Sequence, residues 1–338
     1  SGDCDSSSRP AMPDPWDSKT VIGLFCDPYV ASTNLEGGHS EDTLQDVSGW
    51  LSELKKYDNI SSKAKTVIDE ATELFAEGAR LGRAGFGPQW CQDLKHRLEK
   101  LKPGQLFLAP GGWRNPKGGH AIIYLFQCMS DSEFRFAVCN TGEGVNAHPE
   151  DAGADVFPKE KRLTSWLLKG IPREQILDEL WLYSLFKIYY RQGDHHKPNM
   201  LYEFLLPMLC PSGDVRKETD TSWSTSATCQ RAGSCYYKCC PAALRLILGI
   251  RGVEEQQRKL VFYYMRLGQL SRIHQALNDT ELEAMTESDF MVVECACRQM
   301  GQKVLYQKTI SSAEKESARG LISDVDGKVA EAREIQRK

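Results

Sequence analysis

The 338-residue sequence has no apolar run that approaches the roughly 18 residues a membrane-spanning helix needs, which argues against a membrane span. It also has no excess of positive charge. Its 42 Lys and Arg stand against 46 Asp and Glu, and the formal net charge of −4 argues against a dedicated nucleic-acid-binding protein. The start, at Ser1, lacks the basic and then apolar segment of a secretion signal. We therefore expect a mature product or a fragment of a longer protein.

Cysteine is abundant, with 12 residues, but the regular spacing of a disulfide or zinc framework is missing. Cys26, Cys128 and Cys139 lie inside apolar runs, where a reduced thiol behaves as a small hydrophobic side chain. We therefore expect an intracellular, cytoplasmic protein in a reducing compartment, with no metal site and no cofactor. The close cysteine pairs that do not match a C-x-x-C motif are Cys239 with Cys240 and Cys295 with Cys297.

Changes in composition and hydrophobic period divide the chain into four regions. Residues 1–19, rich in Ser, Asp and Pro, predict a loose leader. Residues 20–102 predict a mostly helical N-terminal region. Residues 103–250 contain the strand candidates and the chemically interesting residues, with a helical insertion at about 150–220. Residues 251–338 predict a set of C-terminal helices.

Two apolar runs within residues 103–250 predict neighbouring strands, at 121–126 and 134–139. The polar link at 130–132 suits a hairpin between them. A shorter strand is predicted at 106–108, and we expect Pro110 and the glycines that follow it to end that strand. The fold class predicted is therefore α+β, a small antiparallel sheet enclosed by many helices.

Four residues in this region have the side chains of a thiol-dependent catalyst. His120 begins the first predicted strand, and Asn140 follows the second. Cys235 precedes a predicted buried helix, and Gln230 lies five residues before it. An imidazole can take the proton of a thiol and return it to a leaving amine, and an amide can hold the imidazole tautomer. The Gln230 amide and the Cys235 N–H would form an oxyanion hole, in which one donor contributes roughly 3 kcal/mol.

The position of Cys235 relative to the helix has two interpretations. A helix that begins at Cys235 would lower the pKa of the thiol, as would a neighbouring imidazolium. Pro241 would then fall in the second turn and clash with the carbonyl of Tyr237. Alternatively the helix begins near Pro241 and Cys235 lies in the preceding loop.

The order His120, Asn140, Gln230, Cys235 resembles the clan of adenoviral proteases and SUMO or ubiquitin-like proteases. The resemblance covers about 115 residues and implies a circularly permuted papain-like core. It implies that His120 is the general base, Asn140 the orienting residue, Gln230 the oxyanion donor and Cys235 the nucleophile. The implied activity is a cysteine protease or isopeptidase, acting through a thioester after the C-terminal tail of ubiquitin or a ubiquitin-like protein.

Several small and aromatic residues are candidates for lining the narrow cleft that such a substrate tail requires. Glycine lets a backbone approach closely, and tryptophan can close over a slender tail. The residues predicted to bind substrate on this basis are Gly111, Gly112, Trp113, Gly119 and Trp223.

Other interpretations stay open. The segment Leu101 to Leu106, followed by residues 119–124, also resembles the entry of the NlpC-type and lecithin:retinol acyltransferase folds, which implies an acyltransferase with the same Cys–His chemistry. Cys91 would give the papain-like order Cys91, His120, Asn140. A helical interaction module without catalysis is a third possibility.

Three further histidines each have two interpretations. His148 is either a substrate contact near Asn140 or a residue of a surface loop. The pair His195 and His196 lies in a polar segment, where a metal role competes with a solvated loop.

Overall fold

The computed structural model describes residues 40–84, 88–115, 118–150, 162–190, 198–210, 216–217, 226–227, 235–279, 287–308 and 310–337. The chain divides into two compact units. One comprises residues 34–265, and the other includes residues 266–338. The predicted leader, residues 1–19, lies outside the described residues.

Three helices open the described chain, within the region 20–102 that the sequence predicts to be mostly helical. They are α1 (Ser40–Glu53), α2 (Ser62–Arg83) and α3 (Pro88–Lys100). Ser61 caps α2, since its side chain accepts a hydrogen bond from the Ala64 N–H. One face of each helix is buried because its apolar residues recur every three or four positions. In α1 this face includes Leu44, Val47, Trp50 and Leu51.

The strands form a small antiparallel sheet, so the α+β prediction is confirmed. Its order is β1-β2-β3-β5-β6, and the short β4 and β7 pair separately. The hairpin predicted at 130–132 connects β2 to β3, with Glu133 N–H donating to Ser130 O. The strand bounds are β1 Leu106–Asn115, β2 Gly118–Cys128, β3 Glu133–Cys139, β4 Arg162–Leu163, β5 Ser165–Pro172, β6 Arg216–Lys217 and β7 Ser226–Ala227.

Strand β1 continues through Pro110, Gly111 and Gly112, so the prediction that these residues end it is wrong. Proline is tolerated because β1 is at the edge of the sheet, where a missing N–H donor costs no ladder bond. The glycines allow close packing instead of a turn. A Cβ on Gly111 would lie 2.1 Å from the Tyr124 ring, and one on Gly112, where φ is +139°, would lie 2.0 Å from the His120 carbonyl oxygen.

The prediction that residues 150–220 are mostly helical is wrong for β5, which pairs with β3 inside the sheet. The run Trp166 to Leu168 is buried, and a short apolar run of this kind has no period that separates a strand from a buried helix. The helices of this segment are α4 (Arg173–Ile176), α5 (Glu179–Tyr190), a π-helical turn (Met200–Leu205) and α6 (Leu206–Met208).

Helix α7 (Cys235–Ile250) begins at Cys235 and runs on through Pro241. The interpretation in which the helix begins near Pro241 is therefore wrong. Helix α7 packs against β2 and α2, while α3, α5 and the π-helical turn contribute to the core on the other face of the sheet, with Tyr124 and Phe136. Cys235 is the first residue of this helix that the structure describes.

The C-terminal helices confirm the helical period predicted there. They are α8 (Glu255–Asp279), α9 (Glu287–Leu305) and α10 (Ser312–Arg337). A capping box begins α10, since Glu314 N–H donates to Ser311 Oγ and Ser311 N–H donates to Glu314 Oε2. None of the helices in the described part of the chain combines the length and apolar composition needed to cross a membrane.

Two helical glycines make a matched test of the packing between α2 and β1. A Cβ on Gly78 in α2 would lie 2.8 Å from Leu108 Cδ2, whereas one on the exposed Gly49 in α1 would meet nothing within 4 Å. We expect Gly78→Ala to lower the free energy of unfolding by about 1–3 kcal/mol. Gly49→Ala should raise it by about 0.5–1 kcal/mol, because alanine is the better helix former. Urea denaturation measures both, and equal effects of the two substitutions would contradict this packing.

Candidate active site

The structure brings His120 and Asn140 together at one end of the β2–β3 hairpin. Pairing between these strands ends at Ile123 and Cys139, so β2 extends beyond β3. His120 is on this extension, and Asn140 directly follows β3. His120 Nε2 lies 2.7 Å from Asn140 Oδ1, and both side chains are buried.

Main-chain groups determine the orientation of the Asn140 amide. The Gly142 N–H donates to Asn140 Oδ1 at 2.9 Å, and Asn140 Nδ2 donates to the Glu143 carbonyl oxygen at 2.7 Å. An N–H can only donate and a carbonyl oxygen can only accept, so the oxygen and nitrogen of the amide are distinguished. His120 Nε2 must therefore carry the proton that it shares with Asn140 Oδ1. The lone pair of the neutral imidazole is then on Nδ1, which is the arrangement of a general base.

The His120 ring is enclosed on several sides. A Cβ on Gly142 would lie 2.3 Å from His120 Cε1, so only glycine fits there. The Trp113 ring lies 5.0 Å from the imidazole, centroid to centroid, and Trp113 Nε1 donates to Glu143 Oε2 at 2.6 Å. Burial lowers the pKa of His120, against opposing effects of the Asn140 hydrogen bond and the Glu143 charge. The imidazole is therefore neutral at pH 7 and able to accept a proton.

Cys235 lies at the main chain next to His120. Its Sγ accepts a hydrogen bond from the Ala121 N–H at 3.3 Å. One helical turn later, Cys239 Sγ donates to the Ala121 carbonyl oxygen at 3.5 Å. Because β3 does not reach this part of β2, the polar groups of Ala121 face α7 instead of a strand. The two thiols thus attach α7 to the edge of β2.

The pKa of Cys235 differs from the sequence expectation. Burial raises it, and the N–H groups of Ala121, Tyr236 and Cys235 itself oppose that effect without overcoming it. The thiol of Cys235 is therefore protonated at neutral pH despite its position at this end of the helix. No hydrogen bond joins the Cys235 thiol to the His120 imidazole among the bonds of these described residues. Both the Cys235 thiol and the His120 imidazole are therefore neutral, because burial raises the pKa of the thiol and lowers that of the imidazole.

Cys91, the rival nucleophile, belongs to a different part of the structure. It is partly buried in α3, and its Sγ donates weakly to the Leu182 carbonyl oxygen at 3.8 Å. Burial raises the pKa of Cys91 to about 11. The groove beside it, of about 440 Å³, is lined by α3 and α5 residues such as Lys95, Glu179 and Tyr183. Neither His120 nor Asn140 is among the partners of this thiol.

The residues predicted to bind substrate have different surroundings. Gly111, Gly112 and Trp113 are buried in β1, with Trp113 packed on His120. Gly119 is exposed immediately before His120. Four positions with predicted roles lie outside the described residues: Trp223, Gln230, His195 and His196.

Three residues that the sequence pattern did not assign complete the surroundings of Asn140. Glu143 and Gly142 follow it in the same turn, and Tyr202 comes from the π-helical turn, its hydroxyl accepting from Asn140 Nδ2 at 2.9 Å. His148 is buried, so it is not a surface loop residue. Its Nδ1 bonds to the Leu163 carbonyl oxygen at 2.8 Å, and its Nε2 lies 2.9 Å from the Tyr202 hydroxyl. Only Gly142 and Glu143, by their closeness to Asn140, had any signal in the sequence.

The sequence predicted that the cysteines in apolar runs are reduced core residues and that the protein has no metal site. Cys128 and Cys139 are buried free thiols, which confirms their predicted place in the core. Burial raises the pKa of Cys139 to about 12, so this thiol is not ionised. Within the described ranges, no three His, Cys, Asp or Glu side chains come together as metal ligands.

Burial of His148 predicts a dependence of stability on pH. Burial lowers its pKa to about 4, whereas an unfolded histidine titrates near 6.5. Between these values the unfolded chain takes up a proton that the folded chain does not. The free energy of unfolding is therefore fully retained above about pH 6.5 and falls by about 3 kcal/mol as the pH drops to about 4.

Urea denaturation at several pH values, compared with His148→Gln, measures this contribution. Carboxylates and His120 also contribute to the pH dependence of stability, and the lowered pKa of His120 acts in the same direction as that of His148. Because both proteins contain these groups, their contributions cancel in the comparison. We expect the variant to have a smaller loss of stability between pH 6.5 and 4. An unchanged slope would mean that His148 is not held neutral by the fold.

No protein-family model matches the chain, and no curated protein sequence matches it.

Proposed function

We propose that the protein is a cysteine-dependent hydrolase in which Cys235 is the nucleophile and His120 the general base. The observation that carries this proposal is the direction of the protons around Asn140. With Nε2–H given to Asn140 Oδ1, the basic nitrogen of His120 is Nδ1. The Cys235 sulfur is bound to the N–H of the next residue along the chain, Ala121. The Cys235 thiol of α7 is thus hydrogen-bonded to the main chain of the residue that directly follows His120 in β2.

The reaction follows from these protonation states. The thiol proton passes to His120 Nδ1 as the sulfur attacks the substrate carbonyl, and the carbonyl π-electrons move to oxygen. Collapse of this intermediate breaks the C–N bond, the amine leaves with the proton from Nδ1, and a thioester remains on Cys235. Water then attacks the thioester while His120 takes one of its protons. Collapse of this second intermediate breaks the C–S bond, releases the carboxylic acid and returns the proton to sulfur, which regenerates the Cys235 thiol. Asn140 holds the imidazole tautomer throughout.

The substrate class rests on the resemblance stated above. The order His120, Asn140, Gln230, Cys235 supports a peptide or isopeptide bond after the C-terminal tail of ubiquitin or a ubiquitin-like protein. Gln230 is proposed as the oxyanion donor, together with the Cys235 N–H. The exposed Gly119, next to His120, supports the approach of a slender tail. An acyltransferase would use the same residues but pass the thioester to an amine or alcohol instead of water.

The nucleophile can be identified with ubiquitin and ubiquitin-like probes that carry a C-terminal electrophile. We expect Cys235→Ala to abolish covalent labelling. Cys91→Ala, which removes a similarly half-buried cysteine of raised pKa, should retain it. Intact-protein mass spectrometry measures the adduct. Labelling that survives Cys235→Ala and disappears with Cys91→Ala would overturn the assignment, and absence of labelling by every probe would favour an interaction module.

The placement of His120 can be tested by adding a single methyl group. Gly142→Ala would put a Cβ 2.3 Å from His120 Cε1, so the imidazole must move. A misplacement of about 1 Å near a reacting group can lower the rate by about a hundredfold, and we expect a loss of that order in the rate of probe labelling. Gly49→Ala, with open space at its Cβ, is the control that should label at the original rate. An unaffected rate in a folded Gly142→Ala protein would exclude His120 as the base.

A further inference from the structure

We propose that Tyr202 and His148 are positioning residues, which hold the His120 tautomer by completing the hydrogen bonds of Asn140. As a statement about catalysis, this inference rests on the proposed function. As a statement about the imidazole, it rests on the geometry alone. Neither residue belongs to the pattern His120, Asn140, Gln230, Cys235, and Tyr202 is 62 residues from Asn140 in sequence.

Asn140, Tyr202, His148 and the Leu163 carbonyl form a series of hydrogen bonds, in which each neighbour determines which group donates. The Leu163 carbonyl oxygen can only accept, so His148 Nδ1 carries the proton and Nε2 has the lone pair. The Tyr202 hydroxyl must then donate to His148 Nε2, at 2.9 Å. Its oxygen is left to accept from Asn140 Nδ2, also at 2.9 Å. Each group in the series therefore donates to the next, from Asn140 to the Leu163 carbonyl oxygen.

This direction leaves the Asn140 amide with both N–H groups occupied. One bonds to the Glu143 carbonyl oxygen and the other to Tyr202. Loss of the Tyr202 hydroxyl would leave a buried N–H without an acceptor, and the amide would gain by rotating away from its present plane. Such a rotation moves Oδ1, the atom that fixes the proton on His120 Nε2.

Burial and ring contacts hold Tyr202 and His148 in place. Tyr202 stacks on Trp166 with an interplanar angle of 7°, and His148 meets Tyr202 edge to face at 5.4 Å. Tyr202 comes from the π-helical turn, a rare backbone form often found at functional sites. Burial lowers the pKa of His148, which keeps its Nε2 an acceptor at neutral pH. The hydroxyl thus has one orientation available.

The test uses the full chain labelled with ¹⁵N-histidine, in which ring nitrogen shifts report the tautomer without any turnover. The His120 signals are assigned by their loss in His120→Gln. In the original protein we expect His120 to be the Nε2–H tautomer. In Tyr202→Phe we expect a mixture of the two tautomers. With an amide substrate of ubiquitin's C-terminus, we expect kcat to fall by up to about a hundredfold while KM changes little.

Three further variants separate positioning from general stability. Tyr264→Phe is the matched control, because Tyr264 is also buried and its hydroxyl accepts from Asn59 Nδ2 at 3.0 Å, outside the site. It should leave the His120 signals unchanged. His148→Gln, whose amide keeps an acceptor for Tyr202, should retain the tautomer better than His148→Leu, which keeps none.

Unchanged His120 signals in folded Tyr202→Phe and His148→Leu proteins would overturn the inference. Failure of the proposed function has a different signature. In that case the tautomer would still depend on Tyr202, but the original protein would neither label with the probes nor hydrolyse the substrate.

Discussion

The site depends on a difference in length between two paired strands. Strand β2 begins at Gly118, but its pairing with β3 starts only at Ile123. The unpaired end of β2 keeps its hydrogen bonds to β1 on one side and has open N–H and C=O groups on the other. At Ala121 these two groups hydrogen-bond to the sulfurs of Cys235 and Cys239. The residue that follows β3, Asn140, hydrogen-bonds to His120. A β3 two residues longer would occupy the edge that α7 needs.

The electrostatics of the site follow from the same burial. Ionising a thiol in this position is opposed by desolvation, and so is protonating the imidazole, since burial raises the pKa of Cys235 and lowers that of His120. The thiolate–imidazolium pair that often defines a reactive cysteine is therefore disfavoured in this site. Nearby N–H groups lower the pKa of Cys235 and the Glu143 carboxylate raises that of His120, and both effects are smaller than that of burial. In the proposed reaction, charge separation would therefore arise only as the bond to substrate forms, where donors at the oxyanion would stabilise it.

Sequence patterns predicted the parts of this arrangement that are local in the chain. The apolar runs of β2 and β3 have the composition of paired strands, and a short polar link between them indicates a hairpin, so His120 and Asn140 could be expected at one end. Strand β5 was missed because the run at Trp166 has no distinguishing period. Tyr202 was missed because nothing in a helical segment indicates which hydroxyl will reach an amide on a distant turn. The 29 residues between Cys91 and His120 are few for a papain-like order, which ranked Cys91 below Cys235, and neither His120 nor Asn140 is a hydrogen-bond partner of Cys91.

Glycine has a role here that residue order does not reveal. Gly112 approaches the His120 carbonyl from β1, and Gly142 approaches the imidazole ring from the turn after β3. A methyl group at either place would overlap with His120, so its main chain and ring are each confined by the absence of a side chain. Because these glycines already restrict where the imidazole can lie, the hydrogen bonds of Asn140 need only select its tautomer. The main-chain groups that make this selection, at Gly142 and Glu143, belong to the turn that carries Asn140, so the backbone that confines the imidazole also orients it.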